Sequence, residues 1–203
     1  MSTAKNTFDM LISQGTISNA LYQYLESQSI YIDFSDLLRW QWTLAVSALD
    51  RYIHDIVRAG MVMEFEGRRN PTPKYQNFRI DMSTYAMIGS SPVPSVAFEQ
   101  EVGRQHSFLA FQYPEKIADA LSLIWDEANK WDVIGRTMVP PVPASDLKTK
   151  LKNIVLRRNQ IVHEGDCLSL SPPLGQQPIS LSDANDVVSF IKSLVLAIDT
   201  CVT

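Results

Sequence analysis

The stretch LKTKLKNIVLRRNQIVHEGD, Leu147 to Asp166, decides the reading of the chain. Leu147, Leu151, Ile154 and Ile161 recur at spacings of four, three and seven, the apolar stripe of an amphipathic helix. The missing member of that stripe is position 158, and it is Arg158. A guanidinium cannot shed its charge, so on an apolar face Arg158 requires an acidic partner or a solvated cleft. Gly165 tolerates the left-handed conformation that commonly ends a helix, which puts His163 in the last turn, where open carbonyls favour an imidazolium.

Outward from this helix the pattern stays helical. VPPVP, Val139 to Pro143, is a stiff connector, after which Ser145 and Asp146 are expected to cap the basic helix. A loop rich in Ser, Pro, Gly and Gln runs from Asp166 to Pro178. Ser182, Asp183 and Asp186 then open a last helix with Val187, Ile191, Leu194 and Ile198 as its stripe. Upstream, Tyr113 and Pro114 start a helix whose stripe is Ile117, Leu121, Ile124, Ala128 and Trp131. Ser95 is the expected N-cap of another, with Phe98, Val102 and Leu109 facing the core. Leu38, Trp42, Ala45, Leu49, Tyr52 and Ile56 mark the seam of an antiparallel helix pair. Residues 7 to 28 read as the first helix, with Leu11, Leu21, Tyr24 and Leu25 inward. Around 64–95 the periodicity dissolves into the turn-rich runs EGRRNPTPK and GSSPVPS, flanking a segment with room for one short helix.

The expectation is therefore an all-α, up-and-down bundle of about five to six helices, residues 1–203 as one domain, with a loop-rich insertion around 64–95. The chain has 203 residues and 45% hydrophobic content, enough for a sizeable core. A net charge of -4 and a pI of 5.3 argue against coating duplexes by bulk electrostatics. A local basic site remains open, because Lys148, Lys150, Lys152, Arg157 and Arg158 share the helix with no carboxylate between Leu147 and Val162. Lys148, Lys152 and Arg157 are candidates for an RNA backbone; the alternative is an ordinary solvated face. Cys167 and Cys201 lack metal-ligand spacing and are read as free thiols in a reducing compartment. No segment approaches bilayer-spanning length and no leader is apparent, so the expected location is the cytoplasm.

His54, His106 and His163 fall on three segments, without HExxH or HxH, so no metal site is expected and no cofactor is implied. Neither a phosphate-cradling glycine loop nor a GxSxG elbow occurs. What these residues can support is acid and base chemistry on a phosphodiester that carries its own nucleophile, the 2′-hydroxyl of RNA. Histidine suits the proton work near neutral pH, and arginine offers a planar fork to phosphate oxygens. Asn159 lies one turn before His163 on the same face and is placed to orient the ring or hold an oxygen. Arg158 and His163 are five residues apart, about 140° round the helix. Convergence requires the arginine to sweep round, the last turn to distort, or a two-fold partner to contribute. On the earlier helix Asp50 and His54 are one turn apart; they are either a surface pair or a second layer in which Asp50 neutralises Arg158.

RNQIVH, Arg158 to His163, is the only Arg-X4-His arrangement in the chain, and with its helical context it resembles the HEPN superfamily, most closely its RiboL-PSP-type branch. The likeness covers Asn153 to Asp166, and more loosely SALDRYIHDIV, Ser47 to Val57. It implies a helical bundle and a metal-independent endoribonuclease that leaves a 2′,3′-cyclic phosphate. Paired motifs of a homodimer would line a shared cleft, in a toxin or antiviral-defence effector with an antitoxin or defence-system partner. By that resemblance Arg158, Asn159 and His163 are the catalytic candidates. The alternative is a non-catalytic HEPN-type module that binds a nucleotide or a protein. Some family members carry a tyrosine two residues after the histidine as a modification target; here that position is Gly165.

Overall fold

The computed structural model describes residues 2–28, 32–167 and 175–203, and the all-α expectation holds across them. The described helices are α1 (Thr3–Ser27), α2 (Asp36–Phe65), α3 (Pro73–Gln76), α4 (Met82–Ser90), α5 (Pro94–His106), α6 (Pro114–Leu121), α7 (Lys130–Thr137), α8 (Ala144–Glu164) and α9 (Leu181–Val202). These exceed the five to six expected because proline and short polar turns divide the middle of the chain.

The longest helix, α2, is the axis of the bundle and packs against α1, α5, α6, α8 and α9. Its expected seam is largely as read: Leu38, Ala45, Leu49, Tyr52 and Ile56 are buried, and Trp42 is half-buried. Fully burying one such side chain stabilises by about 1.5–3 kcal/mol, against about 0–1 for an exposed ion pair, so this seam outweighs the charged pairs on the outer face of α2. The last helix contributes Val187, Ile191, Leu194 and Ile198 to the same core.

Several local expectations are corrected. Leu21 and Tyr24 are exposed, because the stripe of α1 that meets α2 runs instead through Ala4, Phe8, Ile12 and Gly15. The stripe from Ile117 to Trp131 is not one helix: α6 stops at Leu121, Ala128 is exposed, and Trp131 reaches the core from α7. Helix α5 begins at Pro94 rather than on Ser95, and Leu109 lies exposed beyond its end. Helix α8 starts at Ala144 with no side-chain cap, so Ser145 and Asp146 lie inside its first turn. The true cap of α9 is Ser180, whose side chain accepts from Asp183 N while the Asp183 carboxylate accepts from the Ser180 backbone. Within 64–95, where periodicity failed, the chain forms α3 and α4. Much of the loop expected from Asp166 to Pro178, residues 168–174, lies outside the described residues. Cys167 and Cys201 are both free thiols. Among the described residues no helix is long and apolar enough to cross a membrane.

Candidate functional site

Helix α8 carries the site because its apolar stripe ends before the helix does. Leu147, Leu151, Ile154 and Val155 are buried, whereas Arg158 and Ile161, on the same line, are half-buried where the bundle opens. Gly165 closes the helix at φ 63°, and Asp166 follows in the same left-handed region at φ 57°.

Arg158 has no carboxylate partner among the described residues. Its Nη1 donates to Asn159 Oδ1 at 3.1 Å, while its Nε is buried without a partner among those residues. An unsatisfied buried donor costs about 1–3 kcal/mol, and more when charged, so this guanidinium sits in an incomplete network. The idea that Asp50 neutralises Arg158 is overturned: the Asp50 carboxylate is already used. Its Oδ1 accepts from Phe111 N at 2.6 Å and its Oδ2 from Gln112 Nε2 at 3.1 Å. His54 Nε2 lies 3.8 Å from Asp50 Oδ1 and 3.3 Å from Leu109 O. Asp50 and His54 therefore hold the 107–113 strap between α5 and α6.

That strap delivers Tyr113, which the sequence marked only as a helix start. Asn159 Nδ2 donates to Tyr113 Oη at 3.1 Å. The amide thus joins the head of α6 to Arg158, and it turns the guanidinium toward its own flank of α8. His163 follows Asn159 by one turn on that flank and is exposed in the last turn of the helix. At about 100° per residue, Lys148 and Lys152 project along this same flank, and both are exposed.

Arg157 occupies the opposite flank and is engaged internally. Its Nε and Nη2 donate to Asp166 Oδ1 and Oδ2 at 3.1 and 2.9 Å, and its guanidinium lies 5.7 Å from the Trp42 ring centre. Asp166 is fully buried and also accepts from Arg39 Nε at 2.9 Å. Arg39 Nη2 and Arg157 Nη2 reach the carbonyls of Gln177 and Pro178 at 2.8 and 3.0 Å, pinning the chain after α8 to α2. Sequence reading missed Arg39, Asp166 and Tyr113 as parts of the site's frame. Asp166, next to the helix-ending glycine and nine residues from Arg157, was the one available signal. Arg39 and Tyr113 are distant in sequence from their partners.

The chain matches the RiboL-PSP-HEPN family model over residues 15–203 and belongs to that family. No curated protein and no solved structure matches it.

Proposed function

We propose that the protein is a metal-independent endoribonuclease. The observation that carries this reading is Arg158, a half-buried guanidinium with no carboxylate partner and a buried, unpartnered Nε among the described residues, held by the amide that shares a helix flank with His163. A phosphate oxygen would complete its network, and the fork would stabilise the charge that builds on phosphorus.

In the proposed reaction a base takes the proton of the RNA 2′-hydroxyl. The 2′-oxygen bonds to phosphorus, the bond from phosphorus to the 5′-oxygen breaks, and an acid protonates that leaving oxygen. The products are a 2′,3′-cyclic phosphate and a 5′-hydroxyl end. Base and acid work on opposite sides of the phosphorus, and one imidazole does not reach both at once. A two-fold dimer that sets two α8 ends face to face supplies the second His163. Leu156 and Val162 on α8 and Phe108 in the strap are large exposed apolar side chains suited to cover such a contact. The biological role that fits is a toxin or antiviral-defence effector restrained by a partner protein.

The test is incubation of purified protein with RNA in excess chelator. Cleavage with 2′,3′-cyclic phosphate ends is expected, abolished by His163→Ala and reduced at least about a hundredfold by Arg158→Ala, with thermal melting unchanged. Absence of cleavage would mean that the module binds a nucleotide or protein without catalysis, and full activity in His163→Ala would remove His163 from the catalytic role.

A further inference from the structure

A second cluster of charge lies on α2, beyond Asp50. Asp55 Oδ2 accepts from Arg51 Nε at 2.8 Å, and its Oδ1 accepts from Arg58 Nη2 at 2.8 Å. One carboxylate therefore orients two guanidiniums; Glu99 adds an ion pair at 3.4 Å from Arg58 Nε. The terminal nitrogens of Arg51 and the Nη1 of Arg58 donate to no described residue. Two cavities, of about 340 and 240 Å³, both have Arg51, Asp55 and Arg58 in their walls. The smaller is completed by His54, Gly103, His106 and Ser107. His106 is 6% exposed and its Nδ1 is buried without a hydrogen-bond partner among the described residues. Burial, and then the neighbouring His54 and Lys74, hold its pKa below the ordinary imidazole value, so it stays neutral near pH 7.

We propose that Arg51 and Arg58, with the cavity bounded by His54 and His106, form an oxyanion site that takes a phosphate group, separate from the Arg158–His163 site. Asp55 fixes both guanidiniums in advance, so little side-chain freedom is lost on binding, and the free nitrogens offer the planar forks that suit phosphate oxygens. Ser107 in its wall opens the 107–113 strap, and His54 reaches the strap at Leu109 O. The other end of the strap is Tyr113, which holds Asn159. An anion seated against His54 and Ser107 thus bears on the segment that positions the α8 site. The phosphate belongs either to the RNA backbone or to a free phosphorylated ligand; this last step rests on the ribonuclease reading, whereas the binding site itself does not.

The experiment is a titration of the full chain with inorganic phosphate at pH 7, following backbone amide and imidazole resonances by NMR. Saturable shifts at Gly103, His106 and Ser107 are expected. Affinity should fall roughly tenfold in Arg51→Gln and further in Arg51→Gln/Arg58→Gln, and stay unchanged in His163→Ala. Because Arg51 is largely exposed, the single variant keeps the test independent of folding. Absence of saturable shifts at millimolar phosphate, or affinity in both arginine variants equal to that of the parent, overturns the site. In the cleavage assay, phosphate that raises KM alone in the parent but not in Arg51→Gln/Arg58→Gln assigns the site to the RNA backbone; phosphate that changes kcat alone, again only in the parent, assigns it to a free ligand acting through the strap. Binding with no effect on either constant overturns the coupling. A protein that binds phosphate here but never cleaves RNA refutes the nuclease reading and leaves this site standing.

Discussion

Asn159 donates from Nδ2 to Tyr113 Oη at 3.1 Å while its Oδ1 accepts from Arg158 Nη1, also at 3.1 Å. Both ends of one amide are thereby used, and the arginine's direction depends on a hydroxyl delivered by another helix. Tyr113→Phe removes that hydroxyl with little change of volume. A net hydrogen bond of about 1 kcal/mol corresponds to roughly fivefold in rate. Cleavage assays should show kcat lower by about that factor with KM for RNA unchanged; a KM effect alone would assign Tyr113 to substrate binding instead.

Lys148 and Lys152 lie on the flank of α8 that leads to Asn159 and His163, and both are exposed. As contacts to RNA phosphates, their joint replacement by glutamine should weaken binding uniformly across sequences. The slope of log affinity against log salt should become shallower by about 1.4. A filter-binding series at several salt concentrations measures this, and an unchanged slope would return the lysines to the role of a solvated face.

Asp166 is the fully buried acceptor for Arg39 and Arg157. Asp166→Asn keeps the shape and tolerates the left-handed backbone at φ 57°, yet leaves Arg39, itself 5% exposed, with only the exposed Asp36 carboxylate at 3.2 Å as counter-charge. Breaking a buried pair from one side costs about 3–5 kcal/mol. Urea unfolding should show a loss of that order, and a loss below about 1 kcal/mol would mean that water already solvates the cluster.

Glu64 is buried with neither carboxylate oxygen hydrogen-bonded among the described residues, and burial pushes its pKa up to about 7 against the opposing pull of the Thr72 backbone and Arg69. A raised folded-state value means that its contribution to stability is full below the unfolded value of 4.5 and is lost as pH rises through about 7. His106 acts in the other sense: its folded value is lowered, so its contribution is full above the unfolded value of 6.5 and is lost as pH falls through the folded one. Glu64→Gln should therefore gain stability relative to the parent as pH rises from about 5 to 8, seen in thermal melts. Parallel melting curves for the two proteins would show that Glu64 is solvated.

Gly135 in α7 is a place where backbones meet. A Cβ added there would stand 2.2 Å from Val142 O, while Val142 N donates to Gly135 O at 2.9 Å. Gly135→Ala, though favourable for an isolated helix, should destabilise by about 1–3 kcal/mol through forced separation of α7 from the connector before α8. Calorimetry measures it; a rise in Tm would mean that the connector yields freely.

Local pattern made much of this readable in advance. The seams of α2 and α9 and the extent of α8 follow from spacings of three and four, because a helix writes its buried face into its own periodicity. Glycine at position 165 is legible for the same local reason. Where adjacent short helices happen to keep phase, as from Ile117 to Trp131, periodicity joins what the chain separates. Where an outward face is apolar, as at Leu21 and Tyr24 in α1, it does not say which face is covered.

By itself the sequence determined an all-helical chain with Arg158, Asn159 and His163 in the last turns of one basic helix, since these are properties of a single segment. Only the tertiary structure decided that Asp50 serves the strap rather than Arg158, that Arg157 and not Arg158 is neutralised internally by Asp166, and that Tyr113 sets the amide. Partner choice among charged groups depends on distances of a few ångströms between segments far apart in the chain. The Coulomb and desolvation energies that rank those partners change steeply over such distances, and no residue spacing encodes them.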